Sequence, residues 1–434
     1  MSVTTRALAD ALMSIVGAAA VREHPGGELV GADGRAPQVA VRPRDLGEAA
    51  RVVAFAHDEK LTVVPRGAGR AQTLGFVPGR VDVVLDLGDL DAIVEHNPED
   101  MTATVQAGVT GGALAARLAA HRQALPLDPP GWGSRTMGGI AATAASGPLR
   151  TRYGTMRDLL LGVRFIQADG VLTWGGARVV KSVTGYDIPK LLVGSLGTLA
   201  VLGELTVRLH PLPEAEATSL VALANFDAAQ ELIARLVDST LQPSRLELLD
   251  AAALVASSLP RAAAAIIVSF GSVEAAVRAQ QAAVTAEASR MRTRPETMGP
   301  GFWRTYDRML AETGTTRLAI STLSSRVGAT ATEAAAALAG TPGVVMTAAA
   351  ALGVVRIAIG GGDTAALAAA IERLRGFVAG DGGSLVIERG PAALRARIDP
   401  WGSVPAPSLH LMRALKQEFD PERTLNPGRF VAGL

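Results

Sequence analysis

The chain has 434 residues, 48% of them hydrophobic, with 42 basic side chains against 41 acidic ones. It can therefore bury a large core in two or more domains and carries no net field to gather nucleic acid. Aromatic residues amount to 4% and cysteine is absent, which excludes base-stacking platforms, disulfides, thiol nucleophiles, iron–sulfur ligation and a sulfur tether to a flavin.

The first element in chain order is an apolar stretch over 11–21. Asp10 beside it, with Leu8, Leu12, Ile15, Val16 and Ala19 on one helical face, predicts an amphipathic helix rather than a secretory leader. A connection containing Gly26, Gly27, Gly31 and Gly34 follows. A strand over 38–41 then leads to Asp45, a good N-cap, and a helix over 46–57. The apolar run 61–64 ends in Pro65-Arg66-Gly67-Ala68-Gly69-Arg70. Alternating glycines after a strand expose backbone N–H groups to an anion such as a diphosphate, although the same pattern serves plain turns.

Strands over 81–85, 92–95 and 102–105 precede a helix over 110–121. The stretch 126–147 is dense in proline, glycine and small residues, which lets backbone pass close to a flat group or to other backbone. A hairpin is predicted over 163–174 around Asp169-Gly170, then a strand over 199–209, with Pro211 and Pro213 marking a domain boundary. Beyond it, strands over 219–224, 245–249, 264–270, 317–321, 344–347, 354–359 and 384–387 alternate with helices over 227–238, 273–288 and 364–377. This alternation predicts an antiparallel sheet covered by helices on one face. A last helix over 407–419 leads to Asn426-Pro427-Gly428-Arg429, and apolar runs such as 344–355 are too short to span a bilayer. The six histidines never stand at metal-ligand spacing, so no metal is expected.

Residues 36–212 together resemble the FAD-binding domain of the vanillyl-alcohol oxidase and p-cresol methylhydroxylase family. The resemblance rests on an ordered set: Pro65 to Arg70, Pro126-Leu127-Asp128, Thr136-Met137-Gly138-Gly139, Ser146-Gly147, Tyr153-Gly154, Asp169-Gly170 and Gly194-Ser195-Leu196-Gly197-Thr198-Leu199. It implies an α+β fold: a two-subdomain FAD-binding domain followed by an α+β cap domain with an antiparallel sheet. The expected division is 1–35 (helix and connection), 36–212 (FAD-binding domain), 213–406 (cap) and 407–434 (helix and return to the FAD domain).

The resemblance also implies roles. Pro65, Arg66, Gly67, Ala68, Gly69 and Arg70 would hold the FAD diphosphate, largely through backbone amides. Asp128, Thr136, Met137, Gly138, Gly139, Thr143, Ser146 and Gly147 would line the ribityl and isoalloxazine side, and the Val201 backbone would meet the adenine. Arg70 stands where relatives with covalently attached flavin place a histidine, so FAD is expected to be held non-covalently.

Within the family, the stretches from Asp128 through 181–187 to Ser195, and from Leu415 to Arg429, look like the FAD-binding E subunit of bacterial glycolate oxidase. That likeness implies partners: a catalytic flavoprotein subunit and an iron–sulfur subunit, on the cytoplasmic side, with membrane association only through them. The 2-hydroxy-acid dehydrogenases of the family carry a Glu-His-Gly motif with a histidine base; the matching residues are Glu388-Arg389-Gly390. Arginine cannot act as a base at neutral pH. Arg317, Arg356 and Arg389 remain candidate carboxylate binders, Arg317 and Arg356 alternatively outward-facing solvated strand residues, and Glu388 is a weaker catalytic candidate. Tyr186 and Asp187 are read as packing beside the hairpin. A self-sufficient FAD-dependent dehydrogenase of another alcohol or hydroxy acid is the alternative function, and a scaffold with an empty cradle a further one.

Overall fold

A helix with Leu8, Leu12 and Val16 on its buried face starts the molecule, and its N-cap Thr4 accepts from the Ala7 N–H. It spans Thr5–Val16 and stops at Gly17, whose φ of +88° breaks the helical path. Ala19 therefore lies beyond the helix, not on its face as expected. The computed structural model describes residues 4–25, 36–177 and 185–434. The glycines at 26, 27, 31 and 34, and the residues 181–184, lie outside that set.

Three large sheets organise the described residues, beside a two-stranded pairing of Gln123–Ala124 with His210–Pro211. The first has the order Val21–Glu23, Val39–Val41, Val83–Asp86, Val63–Arg66, with parallel pairing among the last three. Helix Leu46–Asp58, capped by Asp45, covers it with Val52, Val53 and Ala56 fully buried. The second sheet is antiparallel in the order Ile93–Asn97, Thr102–Gln106, Val201–Arg208, Leu160–Ile166, Leu172–Gly176. The small-residue stretch contains a helix the sequence pattern did not suggest, Met137–Thr143, which buries Met137, Ile140 and Ala141 against this sheet. Its low count of large side chains hides the helical periodicity.

The third sheet has eight antiparallel strands. In order they are Pro295–Thr297, Ala215–Leu223, Ala264–Ser272, Arg245–Asp250, Val345–Ala349, Val354–Ile359, Thr316–Ser321 and Ser384–Arg389. Alternate residues such as Leu318, Ile320, Val355, Ile357, Leu385 and Ile387 face the main core, under helices Phe226–Val237, Glu274–Arg290, Val327–Ala337 and Thr364–Ala379. The expectation of helices on one face alone is corrected. Ala251–Ala256 and Phe302–Glu312 pack on the opposite face, where Leu254, Phe302, Tyr306 and Met309 meet Leu249, Ala265 and Ile267. The rest of that second face, lined by the small residues Ala319, Ser321 and Ala358, looks towards the first two sheets.

The C-terminal segment returns to the first sheet. Val63 N–H donates to Thr424 O (2.8 Å) and Asn426 N–H donates to Val63 O (2.8 Å), so the chain end runs parallel beside strand Val63–Arg66. Buried Lys416 holds the preceding helix Ala406–Phe419 in place: its Nζ donates to Asp420 Oδ2 (2.6 Å), Thr198 O (2.7 Å) and Leu425 O (3.0 Å).

Candidate functional site

Strand Val63–Arg66 runs directly into the glycine loop, so the loop is aimed by the sheet. Arg66 is fixed by an ion pair with Asp86 (3.0 Å), both side chains mostly buried. Among the described residues, the backbone N–H groups of Gly67, Ala68 and Gly69 donate no hydrogen bond to the protein. A Cβ on Gly67 would lie 2.1 Å from Thr136 Oγ1, so only glycine lets the loop approach that helix cap. Thr136 caps Met137–Thr143 by accepting from the Gly139 N–H.

These pieces form a continuous groove. Pro65, Gly67, Ala68, Gly69 and Arg70 make one wall; Thr136, Gly139, Ala142 and Thr143 make the other. It extends past Arg66, Gly138, Gly197 and Ala200 to Leu202. Leu196 reaches it from a turn in which Leu196 itself has a φ of +55° between Gly194 and Gly197, a strained conformation for leucine. The turn is held by Asn426, whose Nδ2 donates to Leu196 O (2.8 Å). Asn426 Oδ1 and Arg66 Nε are buried without a protein partner. Free amides, unpartnered buried polar atoms and a path kept clear of Cβ atoms fit an elongated polar cofactor with an anionic middle, as FAD is.

Two residues expected on the cofactor, Asp128 and Gly147, make other contacts. Asp128 accepts from Arg245 Nε (3.0 Å) and Leu149 N–H (2.8 Å), tying the small-residue stretch to the third sheet rather than facing the groove. A Cβ on Gly147 would fall 1.8 Å from Asp128 O, so this glycine serves that close backbone contact. The side chains of Met137 and Val201 are fully buried in the cores of the second and first sheets, so either residue can offer only its backbone to a cofactor. Tyr186 is 92% exposed, which corrects its reading as packing, while Asp187 caps Ile188–Leu192 and pairs with Lys190 at 2.6 Å.

The groove opens into a larger cleft of about 1400 Å³, open mouth included, between the flavin-type sheets and the third sheet. Ser146 lines it, as do Arg70, Arg135, Arg150, Arg317, Arg356 and Arg389, with Glu388 the one carboxylate among its described lining residues. The three sequence candidates are thus brought together, each half-buried, in one cleft. Arg317 and Arg389 are cross-strand partners. A bulge beside Arg317 aims both Glu388 and Arg389 at the cleft, although they are consecutive. Arg317 Nη2 donates to Ala311 O (2.6 Å) and Thr313 O (3.1 Å), and Arg356 Nη2 donates to Ser146 O (3.2 Å).

Burial weakens Arg135, Arg317 and Arg389 as cations. Burial, then the neighbouring charge of Arg389, pushes the Arg317 guanidinium down to about 10. Arg135 and Arg389 are also lowered, chiefly by burial; Glu388 opposes the fall in both, and Arg70 adds to it. Beneath Arg356, the Glu247 carboxyl is pushed up to about 7 by burial, opposed by Arg356 and by the Tyr306 hydroxyl that donates to it at 2.8 Å. No histidine lines the cleft, and no cluster of metal-ligating side chains occurs among the described residues.

Sequence reasoning missed Arg135 and Arg150 as site residues. Arg135 interrupts the small-residue stretch and was a visible signal; Arg150 carried none.

Comparison with known proteins agrees with this geometry. Residues 37–176 match the FAD binding domain, and residues 212–293 and 403–430 match the C-terminal domain of FAD linked oxidases. The chain is 32% identical to glycolate oxidase subunit GlcD of Bacillus subtilis over 49% of its length and 46% of the relative's. It is 35% identical to the mitochondrial D-lactate dehydrogenase [cytochrome] of Arabidopsis thaliana, over 49% of this chain and 37% of that one. A D-2-hydroxyglutarate dehydrogenase of Xanthomonas citri is 34% identical, over 46% and 42%. The aligned segment therefore spans less than half of each relative. Among solved structures, p-cresol methylhydroxylase superposes with a TM-score of 0.75 at 17% identity, covering 97% of this chain and 95% of that one. The 4-ethylphenol oxidase of Gulosibacter chungangensis gives 0.79 at 15% identity, covering 99% and 97%.

Proposed function

Because the chain belongs to the FAD-linked oxidoreductases with the vanillyl-alcohol oxidase and p-cresol methylhydroxylase fold, we infer that it is the FAD-binding subunit of a glycolate oxidase-like complex. In that complex it relays electrons or supports a catalytic flavoprotein partner and an iron–sulfur subunit in oxidising a 2-hydroxy acid. One observation carries this reading: the cleft beside a well-formed flavin groove is lined by guanidinium groups and offers no imidazole. Bound in the groove, FAD would supply a two-electron acceptor. The chain's own residues then supply diphosphate contacts from 67–70 and carboxylate-binding cations, while a protonated arginine occupies the position of the family's base.

The groove holds neither cysteine nor histidine among its described lining residues, which supports non-covalent attachment. No helix among the described residues is long and apolar enough to cross a membrane. Glu388 favours one rival, a self-sufficient dehydrogenase that uses this carboxylate as base. The purified chain, loaded with FAD, separates the two. Acid precipitation should release the flavin to the supernatant, and glycolate or lactate should give negligible reduction of an artificial acceptor until partner subunits are added. Yellow colour in the pellet would overturn non-covalent binding, and ordinary turnover by the lone chain would overturn the subunit role.

A further inference from the structure

We propose that the cleft selects an organic acid bearing at least two anionic groups, a dicarboxylate or a carboxylate joined to a phosphate, over a monoanion. The inference rests on the reading of the cleft as the substrate site and deepens it.

Arg70 and Arg135 line both the glycine groove and the cleft, and so stand on the cofactor side of the boundary. Four cations remain on the substrate side: Arg150, Arg317, Arg356 and Arg389, against Glu388. Glu247, two strands from Arg356, is buried and held towards its neutral form, and two further carboxylates are engaged elsewhere. Asp158, beside Arg150, accepts from Thr155 N–H and Oγ1–H (2.7 and 2.9 Å), and Asp307, beside Arg135, accepts from Gly131 N–H (2.8 Å).

The four cations fall into two groups. Arg317 and Arg389 face each other across adjacent strands, where directly opposed like charges are destabilising. Arg356 pairs with Ala319, and its Nη2 is anchored on Ser146 O; Arg150 opens the short helix that follows Ser146. In register, Arg356 is the diagonal neighbour of Arg317, a spacing of about 7–8 Å between backbones. Both Arg150 and Arg356 line the cleft on the Ser146 side, and burial followed by the charge of Arg356 lowers the Arg150 guanidinium. Ala319, Ser321, Val354 and Val386 line the cleft alongside these cations. One carboxylate can neutralise only one such pair. A second anionic group on the same ligand would occupy the other, and guanidinium forks match carboxylate and phosphate equally.

Calorimetric titration of the FAD-loaded chain with lactate, malate and 3-phosphoglycerate at fixed ionic strength tests this. At least one dianionic acid should bind tenfold or more tightly than lactate, and its identity distinguishes dicarboxylate from phosphate recognition. In R150Q most of that preference should disappear. Equal affinities within threefold on the native chain would overturn the proposal even if R150Q fails to fold. So would a loss in R150Q that is the same for all three acids. The flavin spectrum reports the underlying reading separately. A colourless chain that still prefers dianions would sink the cofactor assignment alone; a yellow chain with no preference would sink this inference alone.

Discussion

The groove and the cleft meet at Arg70, yet they are built in opposite ways. The groove is made largely of backbone, glycine and capped turns, with Arg70, Arg135 and Arg429 among its lining, and the arginine at its strand end is neutralised by Asp86 at 3.0 Å. The cleft is made of long charged side chains on three neighbouring strands and a short helix, with like charges set against each other across Arg317 and Arg389. The lesson is that a cofactor cradle depends on what is left out, namely Cβ atoms. A substrate face depends on what is put in, at a cost in electrostatic repulsion that a ligand would relieve.

The comparison can be tested from either side. The largest effect is expected on the strap that closes the groove. Lys416→Met removes the buried cation that joins Asp420, Thr198 O and Leu425 O, and should cost about 3–5 kcal/mol in urea unfolding. A loss below about 1 kcal/mol would mean that the C-terminal return is held by other contacts. Next, Gly67→Val places side-chain atoms where Thr136 Oγ1 already lies within 2.1 Å of a Cβ. FAD affinity should fall about a hundredfold, roughly 2.7 kcal/mol, while binding of organic acids to the cleft changes little. If acid binding fell equally, groove and cleft would be one unit rather than two.

The smallest effect belongs to the cleft's foundation. Glu247, held up to about 7 in the folded protein by burial, binds its proton more tightly there than in the unfolded chain. Its contribution to stability is therefore full below the ordinary carboxyl range of about 4.5 and is lost as pH rises through about 7. In Glu247→Gln, the fall in melting temperature between those limits should flatten; an unchanged slope would assign the pH dependence to other groups.

Much of the groove was legible in the sequence because its chemistry is local. Pro65 to Arg70, Thr136 to Gly139 and Gly194 to Leu199 each fix a backbone path over a few residues, and alternation of apolar residues marked most strands of the third sheet. The helix Met137–Thr143 stayed hidden, since glycine, alanine and threonine leave no clear amphipathic pattern. Asp128 read as a cofactor contact because it lies inside a motif. Its partner Arg245 is far along the chain, and only the packed structure pairs them.

By itself the sequence determined the class of cofactor, the absence of cysteine and thiol chemistry, and the missing histidine in Glu388-Arg389-Gly390. Each is a statement about residue type or short spacing, which folding does not alter. The tertiary structure alone decided that Arg150, Arg317, Arg356 and Arg389 share one cleft, that a bulge turns Glu388 and Arg389 the same way, and that Asp128 turns from the groove to Arg245. Those outcomes depend on strand register and on which face of a sheet a side chain takes. A shift of one residue reverses the face, and no local motif records it.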